Sequence, residues 1–298
     1  MWGTAGRLWL VAQFPTPPGK FPSPCLKGTD VSLTRRQVSL AALGAVPLAF
    51  AATGTARAAH RRRTIYIAGD STAAQKYADA APETGWGMAL PFFLQKDLSV
   101  ANHAVNGRSS KSFVDEGRLD VILDAIQPGD FLLVQFAHND EKAEDPTRYT
   151  GPWTTYQEYL RRYIDGARAH GARPVLATPV ERRRFDADGN AVPTHGDYPA
   201  AMRALAAQER VALLDIEALS LALWQELGVE ETKTYFNWTA TEQDNTHFNP
   251  PGAIAVARLV AGELLRRRVV APRDVVRLRD DIPTSWITWP EATDASVA

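Results

Sequence analysis

The chain has 298 residues, of which 45% are hydrophobic and 22% charged, and a formal net charge of −1. This composition suits an ordinary globular protein with a sizeable core, built as one large domain or two small ones. It excludes a nucleic-acid partner, because neutralising many phosphates requires a marked Lys/Arg excess on one face, and no basic tail or acidic block is present.

Residues 1–58 do not read as part of the domain. Thr34-Arg35-Arg36-Gln37-Val38-Ser39-Leu40 is followed by an apolar run from Ala41 to Ala52, the outline of a twin-arginine export signal. Gly44 and Pro47 interrupt a run already short for a bilayer, and Ala56-Arg57-Ala58 supplies a small-x-small cleavage pattern. The mature chain is therefore expected to start near Ala59 and to be exported to the periplasm or beyond, with no stable membrane association after cleavage. The Pro-, Gly- and Trp-rich stretch Met1–Asp30 precedes the signal, so translation is expected to begin near Val31. Cleavage leaves 27 basic and 33 acidic residues, a net charge of −6, and removes Cys25, the only cysteine. Neither a disulfide nor a catalytic thiol then remains.

In chain order, apolar runs predict strands over Thr64–Ala68, Leu98–Val105, Phe131–Phe136, Arg173–Thr178 and Val211–Ile216. Amphipathic segments predict helices over Leu119–Ile126, Tyr156–Ala169, Tyr198–Glu209 and Ala253–Arg268, with Pro128-Gly129-Asp130 and His170-Gly171 at the joins. Strands separated by helices imply right-handed crossovers, hence a parallel sheet of about five strands inside a three-layer α/β/α sandwich. Residues 59–298 are expected to form this single domain, with a tail from about residue 280 docked through Trp286 and Trp289.

Ligands of such sheets sit outside the carboxyl ends of the strands. Gly69-Asp70-Ser71-Thr72 follows the first strand, and a serine there can be either a helix N-cap or a nucleophile that needs a base elsewhere. Asp244-Asn245-Thr246-His247 leads into the last helix; on one turn the carboxylate can hold one ring nitrogen while the other takes a proton, or the two residues can simply cap and turn the chain. Asn106-Gly107-Arg108-Ser109-Ser110 and Ala137-His138-Asn139-Asp140 follow the second and third strands. The Gly107 N–H and the Asn139 amide can serve a developing oxyanion, or a positive-φ turn and a loop cap. One serine, two donor loops and one Asp/His pair at the same sheet edge favour the catalytic alternative.

At these residues the chain resembles the SGNH, or GDSL-type, hydrolases, whose four blocks centre on a Ser, a Gly, an Asn and a His. It is most similar to the rhamnogalacturonan acetylesterase branch, through GDST, NGRS, F-x-HND and D-x-THF, and through Ala177 to Phe185 and Gly196 to Met202. The resemblance covers roughly Thr64 to Arg268. It implies the flavodoxin-like fold of that superfamily and a secreted serine esterase that removes acetyl groups from a plant cell-wall polysaccharide through an acyl-serine. Ser71 would be the nucleophile, His247 the general base and Asp244 its orienting acid, with Ser71, Gly107 and Asn139 as the oxyanion hole and no metal or organic cofactor. Ala137 departs from the pattern, since the wider superfamily usually has glycine there.

Substrate contacts are less defined. Arg108, Lys111 and Arg182 to Arg184 either line the sheet edge and attract a uronate-rich polymer or form a solvated charge run. Trp86 and Trp238 either stack on sugar rings or pack in the core and at its rim. G-x-S-x-G is absent, so Ser109 and Ser110 read as loop or cap residues. Two other functions compete: a metal-dependent phosphoesterase using His138, Asp140, Asp244 and His247 as ligands, and a glycan-binding protein with a dead site. Few histidines are available to the former, and His60 and His195 are expected to be exposed.

Overall fold

A computed structural model of the chain describes residues 61–292; the expected signal and start site lie outside the described residues. Five parallel strands form the central sheet: β1 (Arg63–Gly69), β2 (Leu98–Asn102), β3 (Phe131–Gln135), β4 (Arg173–Ala177) and β5 (Ala212–Leu214), in the order β2-β1-β3-β4-β5. The chain reverses its direction of travel beside β1, so the switch in strand order falls at the end of the strand that delivers Ser71. The flavodoxin-like three-layer reading is thus the observed architecture.

Helices α1 (Trp86–Ala89), α2 (Ser110–Asp115), α3 (Arg118–Ala125), α4 (Gln157–Ala169), α5 (Tyr198–Glu209), α6 (Ile216–Glu231) and α7 (Pro250–Arg266) cover both faces. The period-2 alternation of the strands sorts them into two cores. Ile65, Ile67, Phe131, Leu133 and Val175 pack with α1, α6 and α7, whereas Ala68, Leu132, Val134 and Leu176 pack with α2 to α5. At about 1.5–3 kcal/mol for each fully buried Leu, Ile or Phe, these layers fix the strand register and with it the positions of the strand ends.

The sequence expectations missed the short helices α1 and α2, helix α6, and the hairpin of β6 (Phe236–Trp238) and β7 (Gln243–Phe248). Phe236 pairs with Phe248 and Trp238 with Gln243, so β7 uses five residues of advance where β6 uses two. The surplus bulges out between residues 243 and 248 and carries the Asp/His pair. The hairpin then enters α7, whose N-cap Asn249 accepts a hydrogen bond from the Gly252 N–H at 3.2 Å and donates to Thr234 O and Phe236 O. Gly252 itself is required by close approach, because a Cβ there would lie 1.9 Å from Tyr235 O. At the far end, Trp289 donates to Glu83 O at 2.8 Å and Trp286 meets Phe92 edge-on, which holds the chain through residue 292 against the loop after β1. Among the described residues no helix is long and apolar enough to cross a membrane.

Trp86 offers no platform to a sugar ring. It is fully buried on α1 with its indole N–H on Gln135 Oε1 at 2.8 Å, so it supports the sheet from below and has no face for a sugar.

Candidate active site

The turn after β1 is organised by Asp70, not by Ser71. Asp70 Oδ1 accepts from the Thr72 N–H at 3.0 Å and the Thr72 hydroxyl at 2.7 Å, and no helix starts at Ser71: the next elements are a short 3-10 turn at Ala78–Ala80 and then α1. The N-cap alternative for Ser71 therefore fails, and its hydroxyl stays available. It lies 2.9 Å from His247 Nε2, while His247 Nδ1 lies 2.6 Å from Asp244 Oδ2. These two contacts require one tautomer: Nδ1–H donates to Asp244, and Nε2 accepts from the Ser71 hydroxyl.

The turn that pairs Asp244 with His247 lies in the bulge. Its Oδ1 accepts the backbone N–H groups of Thr246 at 2.6 Å and His247 at 3.0 Å, so the carboxylate folds the segment that presents the imidazole. Burial alone would raise the Asp244 pKa, but the hydrogen bonds from His247 outweigh it and the carboxyl sits below its ordinary value. Burial alone would likewise lower the imidazole of His247. The hydrogen bond to Asp244, with the charges of Glu83 and Asp244, reverses this, and its pKa is raised.

Gly107 and Asn139 line the same cleft of about 430 Å³ as Ser71, together with Glu83, Lys142, Arg182 and Thr246. Gly107 has φ +75°, a left-handed conformation that suits glycine, and it turns the chain so that its backbone faces the cleft. Among the described residues, the N–H groups of Ser71 and Gly107 have no acceptor. The Asn139 amide donates one hydrogen to Arg108 O at 3.1 Å, which ties the loop after β3 to the loop after β2 and leaves its second hydrogen. Ala137 is fully buried in the α2–α5 core, and Asn139 still reaches the cleft.

The other candidates divide. Arg182 lines the cleft, held by an ion pair with Glu141 and a hydrogen bond to Thr194 Oγ1. Arg108 does not: its guanidinium is tied to Glu116 and to Asn106 O, and it lines two adjoining cavities, so what it gives the site is its carbonyl. Ser109 caps α2 in a reciprocal pair with Ser112, and Ser110 donates to Asp140. His195 is buried, contrary to expectation, because Glu141 and Val180 O take its two nitrogens. His138 contacts Asp70 Oδ2 at 3.1 Å, and burial, only partly opposed by Asp70, pushes it down to about 4. Asp140 is held by Ser110 and Thr150 and pushed by burial up to about 7. The proposed metal ligands are thus separated onto different partners, and among the described residues no group of three or more His, Cys, Asp or Glu is placed to hold an ion.

Arg183 is a residue that sequence reasoning placed wrongly. It turns inward from the charge run, donating to Asn245 Oδ1 at 3.1 Å and Val229 O at 2.6 Å, with its guanidinium 4.6 Å from the Trp238 ring centre. Its backbone N–H also binds Asn245 O at 2.8 Å, so it clamps the bulge between Asp244 and Thr246. Arg183→Met is expected to lower kcat about 10²-fold by loosening that bulge, with KM little changed. Steady-state kinetics beside a thermal melt would check this.

Residues 67–253 match the GDSL-like Lipase/Acylhydrolase family. A Bacillus subtilis (strain 168) protein, the probable rhamnogalacturonan acetylesterase YesY, is 48% identical over 197 residues, which span 66% of this chain and 90% of that protein. The rhamnogalacturonan acetylesterase RhgT of the same organism is 42% identical over 206 residues, 66% and 87% of the two chains. The crystal structure of Bacillus subtilis YxiM superposes with a TM-score of 0.62 at 33% identity, covering 70% of this chain and 58% of that one. The family match takes in more than half of the sequence and all of the Ser71, Gly107, Asn139 and His247 blocks, and the chain belongs to the GDSL-like lipase/acylhydrolase family.

Proposed function

We propose that the protein is a serine esterase that removes acetyl groups from an acetylated pectic polysaccharide, rhamnogalacturonan in the first instance. The observation that carries the reading is the unbroken Ser71–His247–Asp244 chain, at 2.9 and 2.6 Å, opening on a cleft that Gly107 and Asn139 also line. Ser71 Oγ attacks the acetyl carbonyl carbon while His247 Nε2 accepts its proton, and the charge that builds on the carbonyl oxygen is met by Ser71 N–H, Gly107 N–H and the Asn139 amide. Collapse breaks the bond to the sugar oxygen, which takes the proton back from His247. Water, deprotonated by His247, then attacks the acetyl-serine; the bond to Ser71 Oγ breaks, Oγ takes the proton from His247, and acetate leaves.

The substrate class rests on the relatives named above and on the cations of the cleft. Lys142 and Arg182 lie on the β3 and β4 side of Ser71, where a carboxylate of a neighbouring uronate would be attracted. Export by the twin-arginine route belongs to the same proposal and rests on Arg35-Arg36 and the apolar run after them. Acetate release should be fastest, per acetyl group, from acetylated rhamnogalacturonan. Arg182→Gln should raise KM several-fold more on that acidic polymer than on neutral acetylated xylan. Equal rates on both polymers, with Arg182→Gln affecting them alike, would remove the uronate from the reading.

A further inference from the structure

The loop after β1 carries a lysine that none of the steps above uses. Lys76 is 1% exposed, and its ammonium contacts Glu83 Oε1 at 2.5 Å and Asn106 Oδ1 at 2.6 Å. Both partners line the Ser71 cleft. Asn106 directly precedes Gly107, the oxyanion donor, so Lys76 on its side chain and Arg108 on its carbonyl together hold the peptide that carries that N–H. Glu83 is in turn fixed to the hairpin, since the Thr84 N–H binds Phe248 O at 2.8 Å, one residue beyond His247.

We propose that Lys76 is a positioning residue for the esterase reaction: its buried ammonium ties the Asn106–Gly107 loop to the Glu83 wall, aligning the oxyanion donor and holding a compensated carboxylate beside the base. The proposal rests on the Ser71–His247 mechanism. A stabilising role alone does not explain the choice of residues, because a buried ion pair is a weak source of stability and an apolar pair of similar volume would fill the space as well. What an ammonium adds is three directed donors at one point, enough to join the loops after β1 and β2 to the segment that abuts β7.

The electrostatics follow from the same contacts. The charged groups facing His247 are Asp244 from its own strand and Glu83 and Lys76 from the loop after β1, with Lys142 and Arg182 across the cleft. Those facing Lys76 are Glu83, Asp70 and Asp244. Glu83 favours the imidazolium and Lys76 opposes it, so the pair moderates a shift that the carboxylate alone would make larger.

The test uses the full chain, p-nitrophenyl acetate, and the variants Lys76→Met, Glu83→Gln and the double variant, with Ser71→Ala in parallel. Lys76→Met should lower kcat about 10²-fold with KM little changed, as expected for a displaced donor. Its uncompensated Glu83 should also move the acid limb of kcat/KM to higher pH. Glu83→Gln should move that limb to lower pH, and the double variant should bring it back near the wild-type position while kcat stays reduced. A purely structural role would lower the melting temperature and leave the acid limb in place, which overturns the proposal; so does a loss confined to KM. Should Lys76→Met not fold, Glu83→Gln decides alone, since an unmoved acid limb again overturns it. An active Ser71→Ala would instead sink the underlying mechanism, whereas a dead Ser71→Ala beside unmoved pH profiles sinks only the role of Lys76.

Discussion

Ser71→Ala is expected to abolish ester hydrolysis, lowering kcat by at least about 10⁴-fold, while leaving the melting temperature and the binding of acetylated polysaccharide near those of the wild type. The effect on rate is large because, among the described residues, no other hydroxyl meets a histidine: Ser109 is paired with Ser112 and Ser110 with the buried Asp140, while Ser71 Oγ is 2.9 Å from His247 Nε2. The effect on stability is small for the converse reason. Asp70 makes the hydrogen bonds that hold the turn, so deleting the Ser71 hydroxyl removes a single partner from a half-buried imidazole. Loss of labelling by a serine-directed organophosphate should accompany the loss of activity. An unchanged rate would remove Ser71 from the mechanism, and activity sensitive to EDTA but not to the organophosphate would point to a metal instead.

The parts of the site that were legible in the sequence are those set by the sheet. Apolar runs place β1, β2 and β3, the parallel crossovers send their carboxyl ends to one edge, and Ser71, Gly107 and Asn139 follow within a few residues of those ends. Their convergence needs little more than strand order. The Asp244–His247 pair was legible by residue type but not by conformation. A three-residue spacing lets both side chains share one turn, and here that turn is a bulge of the unpredicted hairpin, which the Asp244 carboxylate folds around itself. Helix α6 was missed although Ile216, Ser220, Leu223, Trp224 and Leu227 recur at helical spacing after Asp215; Ile216 is both the end of the apolar run read as a strand and the first residue of the helix, which masks the change of period.

The residues that sequence reasoning misplaced or passed over share a physical feature: an amphipathic side chain whose fate depends on distant partners. Trp86 reads as either a stacking platform or a core residue until Gln135, 49 positions away, accepts its N–H in the core. Arg183 reads as one of three surface cations until Asn245 and Val229 take it inward. Lys76 lies in a short polar stretch, where nothing local marks it as buried, and only the meeting of Asn106 and Glu83 makes its burial tolerable. Sequence pattern reports what a segment needs to bury. It does not report which buried charge finds a partner from another loop.

Asp244→Asn should lower kcat by about 10³–10⁴-fold with the fold intact, and its pH profile should separate orientation from charge. An amide at this position keeps an oxygen for the Thr246 and His247 N–H groups, so the bulge is retained. What it loses is the carboxylate that accepts the Nδ1 proton and stabilises the imidazolium formed when Ser71 gives up its proton. An amide NH₂ turned toward the ring would favour the opposite tautomer, with the proton on Nε2 facing Ser71, where it cannot act as a base. The raised pKa of His247 places the acid limb of kcat/KM above that of an ordinary histidine, because the base must be neutral to act and activity is lost as pH falls through that value. Removing the Asp244 charge takes away the chief support of the imidazolium, leaving burial to dominate, so the residual activity should persist to lower pH than in the wild type. A variant that loses rate with an acid limb unmoved would show that Asp244 orients the ring without setting its charge; one that keeps the full rate would assign the base to another residue.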